Sequence, residues 1–418
     1  MDSSKSINSN SSDFSTSIGD FKLEKEIGEG AFSKVMLATN EISSKECAIK
    51  FIKADESISE KNLKSFFKNE VKVLKKCDHP NICKILGYSY RDSVPGKENY
   101  CVSYIALEYM KNGTLFDILE NGALEAKYTR VLFKQVLSAI EYLHKLGYSH
   151  RDIKLDNILV SSNYDLKLAD FGLASKSKKS STVKGTLYYM APEVVAEKEY
   201  NTNDSDLYAI AIVLFSMLTH SMPFNVASKK CPLYRKIMTD DWASFWKTHS
   251  SSKLIDNDFK DLFAKMVDPN LELRLSISEI LDHPWMKGET ATKEEVVKHL
   301  KTRIQSEVNL TKTQNKEEST NMAERTGYFN IRSAGKLMKY LEEFAKNEKL
   351  NYKTCPNYYR MIAEIGKKPK DLVLQMNILK RHESYQRCVE LILINGKKKD
   401  FLNFKSKVEE FIASRQNN

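Results

Sequence analysis

His150-Arg151-Asp152-Ile153-Lys154-Leu155-Asp156-Asn157, and a little further on Asp170-Phe171-Gly172, decide the reading of this 418-residue chain. Between them runs a short apolar stretch, Ile158-Leu159-Val160, that reads as a strand. Each charged residue suits one part of phosphoryl transfer from a nucleotide. Asp152 can accept a hydroxyl proton, Lys154 can sit on a transferring phosphate, and Asn157 and Asp170 can hold magnesium. That chemistry is mostly positioning and charge neutralisation, so it asks for these residue types and little more. Either string alone could be a charged loop; both together, in this order, are hard to reconcile with one.

Working upstream, Phe21-Lys22-Leu23 alternates like a strand and leads into Ile27-Gly28-Glu29-Gly30-Ala31-Phe32-Ser33-Lys34-Val35. A glycine-rich hairpin lets backbone N–H groups approach phosphates without side-chain obstruction. Cys47-Ala48-Ile49-Lys50 then reads as a short apolar strand ending in a lysine. Under a phosphate loop, that lysine is expected to pair the α- and β-phosphates. Phe66, Phe67, Val71 and Leu74 recur at helical spacing, and Glu70 on that helix is the expected ion-pair partner of Lys50.

From Phe21 to Met286 the chain resembles the eukaryotic protein kinases. The glycine loop matches except that Ser33 stands for the third glycine. Ala191-Pro192-Glu193 matches the end of the activation segment, with Arg274 where the family places the partner of that glutamate. Asp206 matches the aspartate that props the catalytic loop, and Tyr208-Ala209-Ile210-Ala211 replaces the family's Trp-Ser-x-Gly. The resemblance implies an α+β, bilobal protein-kinase fold, ATP and Mg2+ as cofactors, and protein substrates. It implies an adenine slot of Ile27, Val35, Ala48 and Leu159, with Leu107 as gatekeeper. Glu108 and Met110 would offer backbone hydrogen bonds in the hinge. The reaction expected is transfer of the ATP γ-phosphate to Ser or Thr, because Lys154 follows Asp152 by two residues and Thr186 can bridge them. The alternative is a nucleotide-binding scaffold without catalysis. Between Asp170 and Glu193 the resemblance implies a regulated segment, with Thr182 or Ser181 as the phosphorylated residue and Arg151 as its partner. Thr114 stands where relatives that prefer basic substrates carry a glutamate, leaving Asp117 and Asp156 near the peptide groove.

Composition bounds the rest. Hydrophobic residues make up 41%, with 15 Gly and 9 Pro, which indicates a mainly folded chain of two or three units. No apolar run approaches membrane-spanning length, and the opening Met1-Asp2-Ser3-Ser4-Lys5 has no signal-peptide core. Residues 1–20 are Ser- and Asn-rich and read as a disordered tail. Seven scattered cysteines lack paired zinc spacing and suit free thiols in a reducing compartment, so a cytoplasmic or nuclear monomer is expected, with no nucleic-acid partner.

The chain carries a formal +10, unevenly distributed. From Asn321 onward there are 20 Lys and Arg against 11 Asp and Glu, a net +9, which leaves +1 for the preceding residues. Residues 287–325 read as a polar linker with a short helix around Val296-Val297-Lys298-His299-Leu300. Residues 326–416 read as a second α+β domain. Leu337, Tyr340, Leu341 and Phe344 suggest a helix, three strand-like runs follow (358–365, 372–379 and 385–394), and Phe404, Val408, Phe411 and Ile412 suggest a closing helix. Asn395-Gly396 reads as a hairpin signal. This order resembles the kinase-associated domain 1 of checkpoint and AMP-activated kinases, within the calcium/calmodulin-dependent group. The resemblance implies binding to acidic phospholipid or an intramolecular contact with the kinase domain, through Lys367, Lys368, Lys370, Lys397, Lys398 and Lys399. The same lysines would also serve simply to protect exposed sheet edges.

Overall fold

Alternating apolar and polar residues build strands in the N-terminal part of the chain, and a computed structural model shows how they are assembled. It describes residues 17–29, 33–52, 60–93, 101–249, 255–313, 323–325, 334–355, 360–365, 372–380, 387–395 and 398–416. Gly30, Ala31 and Phe32 of the glycine loop lie outside these residues, as do the first 16. Two compact units result, Met1–Glu307 and Val308–Asn418.

The N-terminal lobe is built on β1 (Ser17–Ile18), β2 (Phe21–Glu29), β3 (Ser33–Asn40), β4 (Lys45–Ile52), β5 (Ile85–Ser93) and β6 (Cys101–Glu108), in the sheet order β1-β2-β3-β4-β6-β5. All of its pairings are antiparallel. One face buries Phe21, Met36, Ala38, Cys47, Ile49 and Tyr104. Against the sheet packs helix α1 (Glu60–Leu74), which buries Phe67, Val71 and Leu74 at spacings of four and three. Glu70 falls on the same buried stripe, so this spacing sends a carboxylate inward.

The helical lobe opens with α2 (Leu115–Glu120) and α3 (Ala126–Lys145), followed by the ribbon β7 (Ile158–Val160) and β8 (Leu166–Leu168). Next come β9 (Lys179–Ser180), α4 (Pro192–Val195), β10 (Tyr200–Asn201) and α5 (Thr202–Thr219), with β9 and β10 paired antiparallel. Then follow α6 (Pro232–Met238), α7 (Trp242–Lys247), α8 (Asn257–Met266), α9 (Ile277–Asp282), α10 (Pro284–Lys287) and α11 (Lys293–Thr313). After its polar first turn helix α5 is apolar on nearly every face, and Tyr208 to Met217 are accordingly all buried. Phe215 at its centre meets Phe245, Trp246, Phe259 and Phe263 with ring centroids 4.7 to 6.5 Å apart.

The segment from Lys287, read from sequence as the start of a linker, instead continues this lobe. Its composition is polar because Lys293, Glu294, Glu295, Lys298, Lys301 and Thr302 are exposed, while Ala291, Val296 and Leu300 are buried in the lobe's core. The second unit, taken by itself, has β11 (Ala323–Arg325), α12 (Ala334–Asn347), β12 (Asn351–Cys355), β13 (Arg360–Ile365), β14 (Leu372–Lys380), β15 (Arg387–Asn395) and α13 (Lys398–Gln416). Its antiparallel sheet has the order β11-β15-β14-β13-β12. Leu337, Leu341 and Phe344 of α12 and Phe404, Val408 and Ile412 of α13 share a core with Met376, Val389 and Leu391. Two short strands, β11 and β12, add to the three runs read from sequence. β15 ends at Asn395 and the next described element is the helix α13 from Lys398 rather than a pairing strand; Gly396 of the expected hairpin signal lies outside the described residues. Lys367, Lys368, Lys370 and Lys397 fall outside the described residues, and Lys398 and Lys399 open α13. No helix among the described residues is long and apolar enough to cross a membrane.

His249 sits in the Phe215 cluster, 5.0 Å from Phe215 and 4.8 Å from Phe245 by ring centroids. Burial outweighs its bond to the Pro223 carbonyl, and with Lys236 nearby its pKa falls to about 4. Below pH about 6.5 the unfolded imidazole takes up a proton that the folded one refuses. Stability is therefore full above that value and falls through the window down to about 4, by roughly 3 kcal/mol in all. Urea unfolding across this range should show the loss in the wild type and a flatter profile in His249→Phe. Equal slopes would show that His249 does not carry it.

Candidate active site

The buried stripe of α1 and the end of the β4 apolar run meet at one point. Lys50 Nζ lies 2.8 Å from both Glu70 carboxylate oxygens and 3.0 Å from Asp170 Oδ1. Burial would pull the Lys50 ammonium down, but Glu70 and Asp170 outweigh it, so its pKa lies above the ordinary lysine value. Burial pushes Glu70 up and Lys50 pulls it back; two 2.8 Å bonds to one ammonium are the contacts of an ionised carboxylate. Asp170 is held below the usual carboxylate range: burial opposes this, but Lys50, His150 and Lys154 prevail. The sequence pairing of Lys50 with Glu70 thus has its geometry, with Asp170 drawn into the same group.

The catalytic-loop string curls around a second aspartate. Asp206, near the start of α5 and 1% exposed, accepts the backbone N–H of His150 and of Arg151 at 2.8 Å each. His144 Nε2 donates to it at 2.9 Å. Arg151 takes a left-handed conformation, φ +70°, and so does Asp170, φ +64°. Both are non-glycine residues in a region that costs about 1–3 kcal/mol, held there by the surrounding bonds. His150 Nε2 donates to the Ala169 carbonyl at 3.0 Å and its Nδ1 accepts from Asp152 N at 3.2 Å, so one ring spans both strings. Its edge meets the buried ring of Phe171 at 4.9 Å.

Asp152 emerges from this frame with its carboxylate fully engaged. Thr186 Oγ1 donates to Asp152 Oδ1 at 2.8 Å, and Lys154 Nζ donates to Thr186 Oγ1 at 3.1 Å. Lys154 Nζ is also 3.0 Å from Asp152 Oδ2. Asn157 Nδ2 donates to the Asp152 carbonyl at 2.8 Å and to Oδ2 at 3.1 Å. That orientation turns the Asn157 amide oxygen away from Asp152. With the half-exposed Asp170 carboxylate it offers the hard oxygen donors that Mg2+ takes. Among the described residues no group of three or more His, Cys, Asp or Glu side chains could hold a metal alone. A cation here would rest on these two side chains, phosphate oxygens and water.

The residues expected at the adenine slot lie on neighbouring elements. Gly28 pairs with Val35, and Val35 with Lys50, so Ile27, Val35 and Ala48 stand on the adjacent strands β2, β3 and β4. Leu107 and Leu159 pack on the buried set Cys83, Met110 and Ala169. Lys34 instead reaches back to Glu26 at 2.7 Å, and Glu29 and Ser33 flank the part of the loop not described. The hinge reading needs one refinement. The Glu108 N–H is already committed to the Lys84 carbonyl at 3.0 Å, so of its backbone groups only the carbonyl could serve a ligand. Asp117 is likewise committed: its carboxylate accepts the Thr114 N–H at 2.8 Å in a reciprocal cap of α2.

Three residues at this site escaped sequence reasoning. Asn69 donates to the carbonyls of Phe171, Gly172 and Ala174, tying α1 to the segment after Asp170. Lys167 on β8 meets the Glu108 carboxylate at 2.7 Å and fastens the hinge to the lower lobe. His144 has been placed above. The only signal for Asn69 is a polar side chain beside an inward-facing glutamate. At the end of the activation segment, Arg274 holds Glu193 in a two-bond fork at 2.7 and 2.8 Å.

Comparison with known proteins agrees with this geometry. The protein kinase domain family matches residues 21–286, and the chain belongs to that family. It is similar to CBL-interacting protein kinase 31 of Oryza sativa subsp. japonica, 31% identical over 65% of this chain and 58% of the relative. The probable serine/threonine-protein kinase MARK-C of Dictyostelium discoideum is 31% identical over 64% of this chain and 33% of its own length. CBL-interacting protein kinase 33 of Oryza sativa subsp. japonica is 28% identical over 96% of this chain and 86% of the relative. For the first two, the match thus spans less than two thirds of the relative.

If Asp206 holds the loop, Asp206→Asn must leave at least one of its donors facing an amide N–H. Removing the charge from this buried network should cost about 3 kcal/mol in urea unfolding and speed amide exchange at His150 and Arg151. Unaltered exchange at those two amides would remove Asp206 from that role.

Proposed function

We propose that the chain transfers the γ-phosphate of ATP to serine or threonine hydroxyls of protein substrates. One observation carries this reading: the Thr186 hydroxyl sits between Asp152 and Lys154, where an incoming substrate hydroxyl would meet the same two groups. Asp152 would take the proton from that hydroxyl. Lys154, next to it, would place a positive charge on the phosphoryl oxygens as negative charge is redistributed among them. Lys50, fixed by Glu70, would hold the nucleotide's phosphates from above. Magnesium held by Asn157 and Asp170 would neutralise charge between the phosphates. A scaffold without catalysis has no use for a carboxylate held by three separate donors, Thr186, Lys154 and Asn157.

Regulation is proposed through the activation segment. Arg151 Nη2 donates to Ser180 Oγ, to the Thr182 carbonyl and to the Tyr200 hydroxyl, at 3.2, 3.1 and 2.9 Å. Its Nε is buried with no hydrogen-bond partner among the described residues. A phosphate on Thr182 or Ser181 would supply that partner and fix the backbone leading to Asp152. Substrate selection by basic residues is expected to be weak, because Thr114 is neutral and Asp117 is used as a cap, leaving Asp156 as the exposed carboxylate.

Radiolabelled phosphate transfer to a generic basic protein tests the catalytic reading. Asp152→Asn should lose about two to three orders of magnitude in rate. Equal transfer by both proteins, or none by the wild type, overturns the proposal. Phosphatase treatment should separately lower wild-type activity, and the drop should be absent in Thr182→Ala or Ser181→Ala, whichever removes the modified residue. Activity indifferent to phosphatase would end the regulatory part alone.

A further inference from the structure

Helix α2 is only six residues long, too short to persist by itself, so what holds its two ends decides where it sits. Its leading end is stitched to the floor of the nucleotide slot. Thr114 bridges to Leu159, Val160 N donates to the Gly113 carbonyl at 2.8 Å, and Asn112 N donates to the Val160 carbonyl at 3.3 Å. Gly113 N in turn donates to the hinge carbonyl of Met110 at 3.3 Å. Any shift of α2 is therefore passed to Leu159 and Met110, both at the slot.

The trailing end is held from outside the family's matched stretch. Arg303, on α11, donates through Nη1 to the carbonyls of Ile118 (3.3 Å) and Gly122 (2.9 Å) and through Nη2 to that of Ala123. These include carbonyls left without partners where a helix ends, and a cation there also suits the helix dipole. Asn121 Nδ2 returns a bond to the Arg303 carbonyl at 3.2 Å. The guanidinium is itself aimed: its Nε donates to His299 Nε2 at 3.0 Å, and the His299 ring stacks on Tyr128 of α3 with centroids 4.0 Å apart and planes 13° from parallel. Burial and then Arg303 lower the His299 pKa, which keeps the ring neutral and able to accept. Helix α11 is anchored in turn by buried Val296 and Leu300 and by the Lys293–Asp165 ion pair.

We infer that Arg303 is a positioning residue for the nucleotide site, acting through α2. Three carbonyls of the α2 exit meet one planar cation that is locked by the histidine behind it. The consequence is read first in nucleotide affinity, because the bonds traced from α2 lead to Leu159 and Met110 and none of them includes Asp152 or Lys154. This inference rests on the kinase reading for its kinetic part only.

Full-length wild type, Arg303→Met and Arg303→Lys separate the outcomes. Arg303→Met keeps much of the side chain's apolar length and removes every donor. It should raise the KM for ATP about fivefold, a size typical of coupling through packed elements, with kcat within about twofold. Hydrogen exchange at the amides of residues 115–122 should quicken while α5 keeps its protection. Arg303→Lys, which retains the charge beside the carbonyls, should recover most of the KM. Unchanged KM with unchanged α2 exchange overturns the inference, as does a fall in kcat that tracks a general loss of melting temperature. Should the wild type transfer no phosphate, the kinase reading falls, and α2 exchange in Arg303→Met still decides whether Arg303 holds the helix.

Discussion

A single buried carboxylate orders the catalytic loop. Asp206 collects two backbone N–H groups and one imidazole, and this holds His150 in place and Arg151 in a left-handed conformation that it would not choose alone. With Arg151 left-handed, Asp152 points away from the core and into the cleft. With His150 locked, its ring reaches the Ala169 carbonyl and so sets the residue immediately before Asp170. Geometry at both strings is thus inherited from α5, where burial leaves Asp206 no solvent to turn towards. A buried charge of this kind is costly unless fully bonded, and that cost makes the loop conformation specific.

The upper lobe depends on a similar constraint applied to a pair. Lys50 and Glu70 lie on separate elements, a strand and a helix, and meet only if α1 is rotated with its Phe67–Val71–Leu74 stripe inward. Hydrophobic packing sets that rotation and the ion pair reports it. Asn69, one residue earlier, uses the same rotation to hold three carbonyls after Asp170. Helix α1 therefore connects the two lobes by adjacent residues, one charged and one polar.

Which of these features could be read from sequence follows from their physics. The catalytic strings, Lys50 and Glu70 were legible because phosphoryl transfer demands specific residue types at short spacing. Helix α1 and the two helices of the second unit were legible from their apolar period. Asn69, Lys167 and Arg303 were not, since each acts on backbone carbonyls or on a carboxylate far away in sequence, and such partners leave no local pattern. Helix α11 was read as a linker with a short helix at Val296–Leu300 for a related reason: Val296, Leu300 and the partly buried Ile304 are too sparse a stripe among lysines and glutamates to reveal a docked helix. In the second unit, Asn395-Gly396 was read as a hairpin signal because glycine serves turns and helix approaches alike. Only the chain beyond it distinguishes the two.

The departure at Tyr208 shows how a buried polar cluster tolerates an altered member. Arg274 keeps its fork to Glu193 and lays its guanidinium over the Tyr208 ring, 4.9 Å from the centroid. That face contact needs an aromatic ring; tyrosine supplies one, although a tryptophan face attracts a cation more strongly. The phenol adds a cost: the hydroxyls of Tyr208 and Tyr234 are both buried and neither forms a hydrogen bond of good geometry. Burial accordingly pushes Tyr234 up to about 12, with Tyr208 raised as well, so both remain protonated and uncharged. Two neutral, poorly satisfied hydroxyls cost less than an unpaired guanidinium would. The arginine's fork and its ring contact survive the substitution, and with them the anchor of the activation segment.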